Sequence, residues 1–159
     1  DGKCMSVFGK DAEAFGKFAA GMPLPEFDQS SFSTPKPLNA AKVAIVTTAA
    51  LHREGGGFEL GDSDHHFETL PRDARDLKLG HHSVNFDRGG FAADINVVYP
   101  IDRLEELANS GVIGEVAQNN YSFAGNQSDS VSEIRLDSGP QCAKEMLNEH
   151  VDVVLLTGT

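Results

Sequence analysis

The stretch Val151 to Thr159 (V-D-V-V-L-L-T-G-T) restricts the fold more than any other part of the 159-residue chain. Its β-branched and leucine side chains leave no polar face, which predicts a strand covered on both sides, as in a parallel sheet. A second apolar run, Val43-Ala44-Ile45-Val46, leads into the small, hydroxyl-rich turn Thr47-Thr48-Ala49-Ala50. Open parallel sheets bind ligands just beyond the carboxyl ends of their strands. Both runs therefore lead to positions where a site can form, one at Thr47-Thr48 and the other at Gly158-Thr159.

Helical signals lie between these strands. Pro100 suits a first helical turn, where its missing N–H costs nothing, and Ile101, Leu104, Leu107 and Ala108 repeat at helical spacing up to a glycine cap at Gly111. Ser138 is placed to cap a last helix with Pro140 in its first turn and Ala143, Met146 and Leu147 on its apolar face. Phe67 to Leu70, Val112 to Val116 and Tyr121 to Phe123 are further strand or edge candidates. Strands alternating with helices predict an α/β, doubly wound domain, with a mostly parallel sheet of about four or five strands and flanking helices. This single domain spans 41–159. Residues 1–40 form an arm: a short helix from Asp11 to Ala20 ended by Gly21, then a linker, Met22 to Asn39, holding four of the seven prolines.

A formal charge of −11, with 13 basic residues scattered along the chain, argues against nucleic acid as a partner, since phosphates demand clustered Lys and Arg. No apolar run approaches a membrane span, and no signal peptide is visible. Cys4 and Cys142 are far apart and form no C-x-x-C pair, so a reducing cytoplasm is the simpler expectation. Because the first residue is Asp1, the chain is expected to be processed, trimmed or incomplete.

Several polar groups have both a chemical and a structural reading. Thr47 and Thr48 follow a buried strand, so their hydroxyls and N–H groups can take an anion or carboxylate, or can simply finish the strand. His65-His66 and His81-His82 are adjacent pairs whose side chains diverge, so neither is by itself a zinc geometry, although Asp62, Asp64 or Asp87 could join them. Surface or hydrogen-bonded histidine is the expectation, and no metal is assigned. Asp102 and Arg103 read as first-turn helix residues, whereas Asp94 and Asn96, beside a buried run, need partners. Cys142 lies inside the last helix with nothing nearby to lower its pKa, so it reads as structural. Gly55-Gly56-Gly57 lacks the trailing Lys of a P-loop and reads as a turn.

Taken in order, V-A-I-V-T-T-A-A-L-H (43–52), N-F-D-R (85–88), D-I-N-V-V-Y-P-I-D-R-L (94–104), G-V-I-G (111–114), Y-S-F (121–123) and V-D-V-V-L-L-T (151–157) resemble the selenoprotein B family of glycine, sarcosine, betaine and D-proline reductases. The resemblance implies reductive cleavage of a carbon–nitrogen bond in a small amino acid or amine. It implies a selenocysteine, or sometimes cysteine, directly after the terminal strand, a pyruvoyl group on a partner subunit that binds the substrate amine, and a carrier selenoprotein. Selenolate attack on the α-carbon then releases the amine. A selenocysteine codon is also a stop codon, so a chain read conventionally is expected to end here, lacking its nucleophile and inactive alone. The chain departs from the family at His81-His82-Ser83, where the usual histidine is displaced or replaced, and at Ala124-Gly125, where Met-Gly is usual.

On this reading substrate or partner contacts fall at Thr47, Thr48 and His52. His82, Asp87, Asp94 and Asn96 supply a polar rim, and Gly158 and Thr159 approach the nucleophile's position. Cys142 is the fallback nucleophile. The competing reading is a non-enzymatic α/β binding or assembly module, in homo- or hetero-oligomeric form, that keeps the frame alone. A histidine-based metallohydrolase is a third.

Overall fold

The computed structural model describes residues 17, 20–21, 33–58, 64–81, 89–125, 127 and 133–158. The chain divides into two compact units, 1–34 and 35–159. In the first, the Gly21 N–H reaches the Lys17 carbonyl (3.2 Å), the only described turn of the expected Asp11–Ala20 helix. The Asp11 cap and linker residues 22–32 lie outside the described residues.

The second unit is built on β1 (Lys42–Thr47), the apolar run read from the sequence, extended by one residue at each end. Along one edge β1 pairs in parallel with β7 (Val153–Thr157), from Val43↔Val153 to Thr47↔Thr157. Because β7 takes that edge continuously, the other edge is shared by β5 (Glu115–Val116) and β6 (Asn119–Phe123), both parallel to β1. β3 (Phe67–Pro71) lies antiparallel against β6. A separate antiparallel pair joins β2 (Leu51–His52) to β4 (Lys78–Leu79).

Three helices complete the described unit: α1 (Gly89–Ala93), α2 (Ile101–Asn109) and α3 (Gly139–Asn148). One sheet face carries Val43, Ile45 and Val153, packed with Ile101 and Leu104 of α2. The opposite face carries Val46, Tyr121 and Phe123, packed with Cys142 and Met146 of α3. Side chains alternate along a strand, so neighbours such as Ile45 and Val46 anchor helices on opposite faces. This is the expected mostly parallel α/β sheet with helices on both sides. Gly111 ends α2 with φ +74°, the left-handed cap read from the sequence.

Two expectations are corrected. Ser138 does not cap α3: its own backbone is helical, its side chain makes no cap bond, and a π-helical turn, Ile134–Ser138, runs straight into α3. Gly139 permits that junction, since a Cβ there would lie 2.5 Å from the Ile134 carbonyl oxygen. The terminal run is a strand as read, but it is not covered on both faces. Val154, Leu155 and Leu156 are 38%, 37% and 74% exposed. Pairing with β1 protects one edge of β7, and among the described residues no strand lies along the other.

The division between β5 and β6 has a local cause. Val43 pairs with Val116 but Val46 pairs with Tyr121, so three steps on β1 face five on its neighbour. Such a bulge breaks the backbone ladder. The Asn120 side chain repairs it, its Oδ1 accepting the buried Ile45 N–H at 2.8 Å. Asn120→Ala leaves that N–H without an acceptor in the core, and the expected loss is about 2 kcal/mol of folding stability in denaturant titration. A loss below about 0.5 kcal/mol would mean that Ile45 finds another partner.

Candidate functional site

From β1 the chain crosses one face through α2 to β5 and β6. It then recrosses the opposite face through α3 to β7, on the far side of β1. The strand order therefore reverses between β1 and β7. In doubly wound sheets the crevice beyond the carboxyl ends at such a reversal is the usual ligand position.

Three threonines define this crevice. Thr47, fully buried, donates its hydroxyl to the Val98 carbonyl at 2.9 Å and accepts the Ala49 N–H at 3.2 Å. Thr157 donates its hydroxyl to the same carbonyl at 2.7 Å. The Thr48 N–H closes the pair by bonding the Thr157 carbonyl at 3.1 Å. Thr47 and Thr157 thus hold the strand ends together, both hydroxyls donating to the Val98 carbonyl. Thr48 is half-buried and lines a groove beside Phe123, Gly125, Gln127 and Leu156. Gly158 is exposed, with open space where a Cβ would stand.

The antiparallel sense of β3 carries a second group to the same end of the sheet. Phe67 pairs with Phe123, so the residues before β3 sit beyond the carboxyl end of β6. There the carboxylate of buried Asp64 meets His66 Nδ1, while His66 Nε2 lies 3.6 Å from Glu68 Oε1. Phe58 stacks on the His66 ring at 4.7 Å between centroids. Gln127 ties the group to β6, donating to the Asp64 and Ala124 carbonyls at 2.8 and 2.9 Å. Buried His81 packs against Gly125, where a Cβ would lie 3.0 Å from both His81 Nε2 and the Thr48 carbonyl oxygen. Glycine at 125 is therefore what lets His81 approach the end of β1.

His52 sits on the short β2–β4 pair, its ring within 3.4 Å of where Cβ atoms at Gly57 and Gly80 would stand. Its Nδ1 donates to the Arg53 carbonyl (2.9 Å), since a carbonyl can only accept. Among the described residues, no three His, Cys, Asp or Glu side chains are placed to hold a metal ion. His82, Asp87 and Thr159 lie outside the described residues.

Asp94 and Asn96 find their partners in each other and in α2. Asp94 Oδ1 accepts both the backbone N–H and the side-chain amide of Asn96 at 2.9 Å. The Asn96 amide also donates to Asp102 Oδ2 (2.9 Å), and its Oδ1 accepts the Asp102 N–H (3.1 Å). The two bonds from Asn96 to Asp94, the side-chain one foremost, hold the Asp94 carboxyl below its ordinary pKa. The network shapes the short 3-10 turn Ile95–Val97, after which Val98 presents the carbonyl shared by the two threonines.

Cys142 is 2% exposed, and burial, with the nearby Glu145 carboxylate adding to it, pushes its thiol pKa up to about 12. A thiolate there is disfavoured at neutral pH, as the structural reading expects. Because the raised value keeps the neutral form until the pH nears about 12, alkylation of Cys142 at pH 8.5 should be on the order of a thousandfold slower in the folded chain than in the denatured one. Peptide mapping that separates Cys142 from Cys4 reads this directly; equal rates would contradict the assignment.

Comparison with known proteins follows this geometry. The family model for glycine/sarcosine/betaine reductase selenoprotein B matches residues 14–159. The D-proline reductase subunit gamma of Acetoanaerobium sticklandii is 35% identical over 125 residues, covering 77% of this chain and 50% of that protein. The glycine reductase complex component B subunit gamma of Symbiobacterium thermophilum is 30% identical over 143 residues, 86% of this chain and 33% of that protein. The sarcosine reductase complex component B subunit beta of Peptoclostridium acidaminophilum is 29% identical over 151 residues, 90% of this chain and 34% of that protein. The chain thus spans a third to a half of the length of these relatives. No solved structure matches it.

Proposed function

The chain belongs to the glycine/sarcosine/betaine reductase selenoprotein B family, and from that premise we propose that it frames the site of a reductase cleaving a carbon–nitrogen bond in a small amino acid or amine. Glycine, sarcosine, betaine and D-proline are the candidate substrates. The observation that supports the reading is the crevice between the carboxyl ends of β1 and β7, where Thr48 and Gly158 stand beside strand ends already locked by Thr47 and Thr157. A chalcogenolate nucleophile set beyond a strand end can be stabilised by the N–H groups of a following turn.

Among the described residues none is poised as that nucleophile. Cys142 is buried and its thiol is held protonated. In this reading the described residues supply the crevice walls, and the nucleophile reaches the crevice from outside them. Relatives are named as components of multi-subunit reductase complexes, so partner subunits belong to the proposal, including a pyruvoyl-bearing subunit that would bind the substrate amine and a carrier selenoprotein. No described helix is long and apolar enough to cross a membrane.

The test is a chimera in which this chain replaces the matched 125 residues of the D-proline reductase subunit gamma. Assembled with the partner subunits and a dithiol reductant, it should cleave at least one of the four candidate substrates. A chimera that assembles normally yet cleaves none would contradict the reductase reading and leave the non-enzymatic assembly module.

A further inference from the structure

The exposed terminal strand has the side chains of an interior strand and none of the features of an edge. On one face Val154 and Leu156 line an apolar groove of about 700 Å³ with Val46, Phe123, Cys142 and Met146. On the other face Leu155 follows Val153, which packs on the α2 side of the core. An edge strand is ordinarily blunted by charge, proline or a bulge. β3, at the opposite edge of the sheet, carries Glu68 and Pro71. β7 has no charged residue and no proline, and its register against β1 is unbroken over five pairs.

Its backbone groups without a partner among the described residues can be identified. Thr157 turns its carbonyl to the Thr48 N–H just past the end of β1, and backbone direction alternates along a strand. Leu155 therefore also faces β1, while the N–H and C=O of Val154 and Leu156 point outward.

We infer that β7 is an interior strand of the working protein, and that its outer edge and the adjoining groove receive a further strand from the part of the family polypeptide lying outside the match to this chain. The relatives supply the material: the matched region is a third to a half of their length. The apolar character of both β7 faces favours this occupant over a second copy. A two-fold pairing of β7 with itself would extend the sheet but bring together two chains each of formal charge −11. The inference rests on family membership and burial, and it stands whether or not the assembly reduces amino acids.

The experiment is amide hydrogen exchange by NMR, with light scattering for mass. It compares the chain alone with the chain co-expressed with the portion of the Acetoanaerobium sticklandii D-proline reductase subunit gamma outside the matched 125 residues. Alone, the chain should be monomeric, with Val154 and Leu156 amides exchanging fast and Leu155 protected. With the added portion, the two should purify together at equal stoichiometry, and exchange at Val154 and Leu156 should slow by on the order of a hundredfold. Leu156→Lys should abolish the co-purification. That side chain is 74% exposed, so the chain's own core should be unaffected and the Leu155 amide should stay protected. A symmetric dimer of the chain alone with Val154 and Leu156 already protected would overturn the inference in favour of a second copy. Failure to co-purify, or co-purification without protection at those two amides, would overturn it as well.

Discussion

The carbonyl of Val98 accepts hydroxyl hydrogens from Thr47 and Thr157, the corresponding last residues of two adjacent parallel strands. A carbonyl has two lone pairs, so one acceptor can serve both donors without leaving a buried polar group unpaired. Strand register, turn placement and crevice shape all depend on this junction. The turn that presents Val98 is itself held by the Asp94–Asn96–Asp102 bonds at the start of α2. Residues far apart in sequence thus meet at the end of the sheet where a doubly wound fold places its ligands.

A second constraint operates along β1. Its outer partners are a continuous β7 on one edge and the broken β5–β6 segment on the other. The break makes room for a bulge, and Asn120 lends its side-chain carbonyl where the ladder is interrupted. β1 therefore stays paired on both edges, while the β6 side remains free to turn. Asp64 and His66, ahead of β3, and Gln127, after β6, gather beyond the carboxyl end of β6, while His81 and the Thr48 carbonyl both approach Gly125. The groove beside the crevice thus has an apolar wall from β7 and α3, with Thr48 and Gln127 adding polar groups to its lining.

What could be read from the amino acids follows from how local each signal is. The strands around Ile45 and Leu155, the helix from Ile101 and the Gly111 cap depend on neighbouring residues, and all are visible in the chain order. The sharing of Val98 by Thr47 and Thr157 was half legible, since each threonine closes an apolar run, but their common acceptor is set by tertiary packing. Asn120 carried no such sign, because its task exists only where two registers disagree. The histidine pairs show the same limit: His66 meets Asp64 and His81 packs against Gly125 only because segments distant in sequence converge. Ser138 resembled a cap because a π-helical turn upstream of a proline leaves no distinctive local pattern. The burial expected for Val154, Leu155 and Leu156 failed for a different reason. An apolar pattern does not say what covers a strand, and among the described residues β7 has a neighbour along only one of its edges.

The joining of the two strand ends is most directly measured by NMR detection of the scalar coupling across the hydrogen bond from the Thr48 amide nitrogen to the Thr157 carbonyl carbon. The geometry, with nitrogen and oxygen 3.1 Å apart, predicts a resolvable coupling and a slowly exchanging Thr48 amide. An absent coupling together with Thr48 exchange at the rate of an unstructured peptide would show that β1 and β7 do not share one crevice.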